Sequence, residues 1–412
     1  MSFCALSDAK GMIIIMKDAK IRMLIPIFLL TFAMFFNIAI FQPVFDIGAL
    51  IMAAVMCVLI AYAHFVVNRF FSSGDKYLVT FISVLPVIGI AILYRLNPDI
   101  AIKQVLWFII GMSVYIALVI ILPDLKRFAK FKYFYLVGTV VFMAMATFIG
   151  ETRFGAKNWV DLGFISFQPS EFGKILFVFY LASSLKNFTD LKSLVEPVIV
   201  VLVSIGFMVL QRDLGSAMIF SFIAIAMVFA ATSKVKYLLA SFGVATVGAL
   251  MSYALFPHIR RRVMIWLKPW EYASNESYQI VQGLYAMASG GLFGQGLGNG
   301  SPEYIPVRES DYIFAVIVEE LGMIFSFGII IIYFLLFYRN IRSALKARSP
   351  FTSLLGVGFS VMIAMQVIVI IGGVLNMIPL TGITLPLISY GGTSMLTVFF
   401  SLGIIQKISE EA

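Results

Sequence analysis

Of the four carboxylates in the segment ESDYIFAVIVEELG, three bear on chemistry: Asp311, where an apolar run begins, and Glu319 and Glu320 inside that run. At a water–membrane boundary a carboxylate has its pKa raised by desolvation or lowered by nearby cations, and in either state it can serve as a general base. Helical spacing places Glu319 about two turns from Asp311 on nearly the same face, with Glu320 about 100° away. The plain structural alternatives are a helix N-cap for Asp311 and a buried ion pair for the two glutamates. The residues alone leave both readings open. Asp311 with Glu320 could also hold a divalent metal ion, although hard-cation sites usually need more oxygens than these.

Around them the sequence supplies cations: Arg153, Lys157, Lys174, Arg212, Arg260, Arg261, Arg262 and Lys268. Arginine offers bidentate geometry to phosphate and lysine a point charge, so this set suits an anionic, pyrophosphate-bearing substrate. For any one member of the Arg260–Arg262 triplet, interfacial snorkelling toward lipid headgroups is the simpler account. Lys174 differs, because it sits just inside a span, where an ionisable group is costly unless partnered. Other chemistries have little material. Cys4 and Cys57 are far apart and lack ligand spacing, and the two histidines, His64 and His258, are isolated.

The elements that must position these groups are membrane helices. Of 412 residues, 61% are hydrophobic and 12% charged, far from the balance of a soluble domain. At about 20 residues per span, that apolar fraction fills roughly twelve spans. Continuous runs such as FGIIIIYFLLFY exclude the short alternating segments of a β-barrel. The expected fold is all-α and polytopic, with spans at 23–41, 47–67, 78–94, 105–122, 134–149, 172–185, 197–210, 214–231, 237–256, 312–338, 354–375 and 390–406. The first run is read as a span, since no small-residue cleavage site follows it. Lysines and arginines at 10–22, 126–132, 234–236 and 339–348 fall on alternate turns, which puts those loops and both termini in the cytoplasm. The net charge of +9 is accounted for in this way, without nucleic acid.

The opposite face then receives 42–46, 95–103, 150–171, 211–213, 257–311 and 376–389, and with them the candidate chemistry. The 257–311 segment is too long for an ordinary connection. Its tryptophans and tyrosines, and a helical stretch from Tyr278 to Ser289 stopped by Gly290 and Gly291, predict an ordered cap. Its GGLFGQGLGNG run follows no strand and fits neither a dinucleotide fingerprint nor a P-loop; a turn whose backbone lies flat on a surface or ligand suits it better. NMIPLTGITLPLISYGGTS brings prolines and glycines to membrane depth, where irregular backbone must line a cavity or pack in protein.

Taken together, GAKNWVDLGFISFQPSEFGK (155–174), QRDLGSA (211–217), the stretch from Arg262 through Trp266, Pro269, Tyr278 and Gln279 to SGGLFGQGLG, ESDYIFAVIVEELG (309–322) and PLTGITLPLISYGGTS (379–394) resemble the SEDS family, typified by RodA, FtsW and SpoVE. The resemblance implies a membrane core over 78–412 that includes the loop 257–311. Residues 1–77 are left as an N-terminal tail with two extra helices. It implies a ten-helix core, so about twelve helices in all.

Members of that family are peptidoglycan glycosyltransferases that polymerise lipid II on the outer face of the bacterial cytoplasmic membrane. The resemblance therefore puts Asp311 at the catalytic position, and Trp159, Glu171, Lys174, Arg262, Gln279, Glu320 and Ser389 at substrate-binding positions. Asn158 stands where the family usually has Arg, Arg212 where Pro is common, and Glu309-Ser310-Asp311 where His-Thr-Asp is usual. Expected partners are lipid II, membrane lipids and a single-span penicillin-binding transpeptidase. The rival readings are a flippase for lipid-linked precursors, for which internal repeats are lacking, and a non-catalytic scaffold for a transpeptidase.

Overall fold

The computed structural model describes residues 23–41, 44–70, 74–153, 155–163 and 166–411. The basic tail, with Lys10, Lys17, Lys20, Arg22 and Cys4, lies outside the described residues. Helices appear wherever apolar runs were long enough to bridge a bilayer. The first three are α1 (Met23–Phe41), α2 (Ile47–Phe70) and α3 (Lys76–Leu96), followed by α4 (Pro98–Ile121), α5 (Lys132–Ile149) and α6 (Pro169–Leu185). Next come α7 (Val195–Leu210), α8 (Leu214–Thr232), α9 (Val235–Leu255), the short α10 (Pro257–Leu267) and α11 (Tyr278–Gly290), then α12 (Ile313–Lys346), α13 (Pro350–Val374) and α14 (Gly392–Glu411).

Ten of the described helices are long and apolar enough to cross a membrane. The two other expected spans, 172–185 and 390–406, fall on α6 and α14. Helix α6 is 17 residues long and buries Glu171 and Lys174, and α14 ends in Lys407, Glu410 and Glu411. Helices enclosed by neighbours need less apolar surface than helices that face lipid. At 34 residues α12 outruns the expected 312–338; at about 1.5 Å per residue its last turns project past the bilayer, which is where Arg339, Arg342 and Lys346 sit.

Helices α3 and α13 form the centre, each with 78% of its apolar window buried, whereas α9 buries none of its residues and lies on the outside of the bundle. Close contacts sort the loops onto two ends. At one end Arg339 grips Asp75 at 2.6 and 2.7 Å and Lys132 meets Glu196 at 2.8 Å. At the other, Asp46 meets Tyr94, Gln104 reaches the Ser389 carbonyl and Trp266 the Asn376 carbonyl. These two sets put the loops around Asp75 and Arg339 at the end opposite to those around Asp46 and Asn376.

Two features of the second end go beyond an all-helical plan. A small antiparallel sheet, β1 (Glu151–Arg153), β2 (Ala156–Asp161) and β3 (Ser166–Phe167), lies between α5 and α6. Helix α12 breaks at Gly322, whose φ of 83° and ψ of 170° suit glycine alone. The glycine-rich run supplies the missing hydrogen bonds: the amides of Gln295 and Gly296 donate to the Glu319 and Glu320 carbonyls, while those of Met323 and Ile324 donate to Gly291 and Leu292. A Cβ on Gly294 would lie 2.3 Å from the Glu320 carbonyl oxygen. The run thus repairs a broken helix, for which close backbone approach requires glycine.

Candidate functional site

Asp311 does not cap α12. The capping position is Tyr312, with no side-chain cap bond, and Asp311 ends a tight turn in which the Val307 carbonyl accepts from the amides of Ser310, Asp311 and Tyr312. Four contacts hold the turn. Tyr312 is fully buried against Gly283 of α11, where a Cβ would clash with its ring at 2.4 Å. Gln279 donates to the Pro306 carbonyl at 3.2 Å. Ser389 donates to the Ser310 carbonyl at 2.5 Å, and the Tyr390 amide to the Glu309 carbonyl. Two of the predicted site residues, Gln279 and Ser389, are therefore brought near Asp311 through the backbone of Pro306 and Ser310, which precede it.

The Asp311 carboxylate accepts from the Ser310 hydroxyl at 2.8 Å, and its Oδ2 would lie 3.3 Å from a Cβ on Gly382, whose φ is 71°. Burial pushes its pKa from 3.8 up to about 6, against the pull of Ser310 and of the Arg262 guanidinium. Arg262 projects from α10 and is itself held below its ordinary value by burial, an effect offset by the charges of Asp213 and Asp311. Its Nη1 is buried with no hydrogen-bond partner in the protein. Burial, then the charges of Arg212 and Arg262, keep His258 on α10 below the usual imidazole range. A half-buried carboxylate, an incompletely bonded guanidinium and a neutral imidazole thus share one recess.

Asp213, which sequence reasoning quoted only as part of QRDLGSA, organises the other wall. It caps α8 through the Ser216 amide, and its Oδ2 accepts from Asn158 at 3.0 Å, Gln168 at 2.9 Å and Ser216 at 2.9 Å. Asn158 thereby pins β2 to the α8 cap, and Trp159, the next residue of that strand, is half-buried. An aspartate at a helix start was the available signal.

Lys174 and Glu171 meet beneath. Lys174, 2% exposed, donates to Glu171 at 2.8 Å and Gln366 at 3.3 Å, and Glu171 also accepts from Thr397. Gln366 in turn donates to the Thr384 carbonyl and to Ser394. The polar floor and the Asp311 wall are therefore joined by one loop, 379–391, which carries both Thr384 and Gly382. Gln366 was not singled out from sequence; a lone amide in the run AMQVIV was the signal.

Glu320 is placed elsewhere. It is fully buried behind the glycine-rich run, with Arg95 Nε at 3.4 Å, as the buried-pair alternative had it. Asp311 precedes the helix, so the helical spacing between 311 and 319 does not apply. Among the described residues no group of three or more His, Cys, Asp or Glu could hold a metal ion.

Comparison with known proteins adds to this geometry. A family model described as a cell cycle protein, FtsW/RodA/SpoVE, matches residues 77–412. The peptidoglycan glycosyltransferase RodA of Mycobacterium tuberculosis is 32% identical over 383 residues, covering 85% of this chain and 81% of its own. Among solved structures, a chain from work on the coordination of polymerization and crosslinking by a peptidoglycan synthase complex superposes with a TM-score of 0.71 at 25% identity, over 82% of this chain and 98% of that one. The Thermus thermophilus rod shape determining protein RodA gives 0.63 at 25%, over 82% and 97%.

Proposed function

The chain belongs to the FtsW/RodA/SpoVE family of cell cycle proteins, and from that premise we propose that this multi-pass bacterial membrane protein is a peptidoglycan glycosyltransferase acting in cell-wall synthesis. The observation that carries the reading is Asp311, a carboxylate with a pKa of about 6 beside Arg262. A general base works best when its pKa lies near the operating pH.

The donor in this reading is lipid II, whose sugar is α-linked to undecaprenyl pyrophosphate. The acceptor 4-hydroxyl attacks the donor anomeric carbon in line, and its proton passes to Asp311. The new β-glycosidic bond forms as the bond to pyrophosphate breaks, and the electron pair leaves with the pyrophosphate. The free Nη1 of Arg262 stabilises that developing charge, with Arg212 and the other cations of this face drawing the donor in. Lys174 has its charge offset by Glu171, so it serves as support for Gln366 and the 379–391 loop. The name of the mycobacterial relative favours polymerisation over a flippase or a scaffold. The polymerising end faces outward, because the other end carries the basic loops, and the membrane is the cytoplasmic one. A single-span transpeptidase that crosslinks the new strand is the partner in this reading, supported by the synthase-complex neighbour.

The test is strand synthesis from lipid II by the purified protein, read on a gel. Parent activity that is absent in a folded Asp311→Asn protein is the expected result; strands made by both at one rate would reject the mechanism.

A further inference from the structure

Helices α1 and α2 precede the family-matched segment, yet they are seated on the core at several depths. Phe35 is fully buried, with its ring edge-on to Tyr94 at 6.0 Å. Lower down, His64 meets Ser83 at 3.4 Å. At the site end the Asp46 amide donates to the Ala39 carbonyl and the Ala49 amide to the Asp46 carboxylate. That carboxylate accepts from the Tyr94 hydroxyl at 2.9 Å. A Cβ on residue 48 would lie 2.7 Å from that hydroxyl, so glycine there leaves the phenol room.

The next residue along α3 is Arg95. Its Nη2 donates to the Gly298 carbonyl at 3.0 Å and the Gly300 carbonyl at 3.4 Å, and its Nε faces Glu320 at 3.4 Å. Gly298 lies against the last residue of α1, its Cβ position 3.7 Å from Phe41 Cβ. The hairpin therefore touches the glycine-rich run directly through Phe41, and indirectly through Asp46, Tyr94 and Arg95. That run in turn supplies the backbone bonds across the break in α12, the helix that follows Asp311.

We infer that the α1–α2 hairpin is a positioning brace that acts through Phe41 and, by way of Asp46, through Tyr94 and Arg95 of α3, to fix the glycine-rich run and so the outer half of α12 that follows Asp311. A helix broken by design has lost its own axial stiffness at that point. Its halves keep one relative position only if a third element holds them, and the hairpin provides that element from outside the family core. The inference rests on the reading of Asp311 as the base, but its structural half can be measured without any turnover.

The experiment uses the full chain in lipid nanodiscs, with Arg95→Gln, Arg95→Lys and Tyr94→Phe. Hydrogen exchange is followed in peptides covering 294–301 and, as a remote reference, α13. Losing hydrogen bonds to a charged donor should speed exchange at 294–301 by about tenfold in Arg95→Gln. A smaller rise is expected in Tyr94→Phe and partial rescue in Arg95→Lys, with α13 unchanged. In the strand assay Arg95→Gln should lower kcat while KM stays near the parent value. Unchanged exchange at 294–301 in Tyr94→Phe would overturn the brace, as would a rise spread equally over α13. A parent protein that makes no strands would instead reject the glycosyltransferase reading, leaving the exchange result to decide the brace.

Discussion

At the scale of single residues, the Asp311 carboxyl combines partial burial with one cationic neighbour, and its two protonation states have opposite consequences for catalysis and for stability. Because a base must be ionised to accept a proton, strand synthesis should fall as pH drops through about 6. A pH–rate profile checks this, and a flat profile between 5 and 8 would contradict it. The stability effect has the other sign. A carboxyl raised from 3.8 to about 6 binds its proton more tightly in the folded state, so it favours folding at low pH and loses that contribution as pH rises through about 6. At neutral pH, Asp311→Asn should therefore lose roughly 10²-fold or more in rate while melting at or above the parent temperature. Lower stability together with normal rate would reverse the assignment. Lys174→Ala should cost stability as well as rate, since it leaves the buried Glu171 unpaired.

At the scale of elements, the break in α12 interrupts the helix that follows the Asp311 turn. Gly322→Ala places a Cβ 2.4 Å from the backbone of Phe293 and Gly294, at a φ that other residues rarely adopt. The expected loss is about 3 kcal/mol, read as a fall in thermal midpoint with activity lost in parallel. Gly328, six residues on in the same helix, has nothing within 4 Å of its Cβ position, and Gly328→Ala should be near neutral. Equal behaviour of the two variants would remove the argument that the glycine-rich run repairs the helix. The sheet β1–β3 belongs to this scale too. Asn158 fastens it to the α8 cap, so the strand that carries Trp159 is held by a side-chain bond.

At the scale of the whole molecule, the chain presents two unlike ends to two sides of a membrane. Single cysteines placed in 257–311 should react with an impermeant thiol reagent on intact cells, whereas cysteines in 339–348 should react only after lysis. The reverse pattern would turn the enzyme model inside out. Purification from native membranes at endogenous expression should bring along a single-span transpeptidase; repeated recovery of the chain alone would count against that partner.

How much of this was legible in the sequence depended on the range of the interaction. Span positions, the alternation of basic loops and the stop of α11 at Gly290 follow from local rules: a bilayer sets a length, charge sets a side, glycine ends a helix. The site motifs could be picked out for the same reason, because residue types at short spacing announce their chemistry. The arrangement of Asp311 could not. Whether it capped α12 was decided by the Ser389, Gln279 and Tyr312 contacts, which come from segments dozens of residues away. The pairing of Glu320 with Arg95, the bond from Asn158 to Asp213, and Gln366 as the link between Lys174 and the 379–391 loop likewise join groups distant in the chain. Such pairs are selected by the shape and dielectric of a packed interior, which exists only once the helices have assembled. The glycine-rich run is the clearest instance: its composition was visible as a need for close backbone approach, and only the folded chain revealed that the partner was a broken helix.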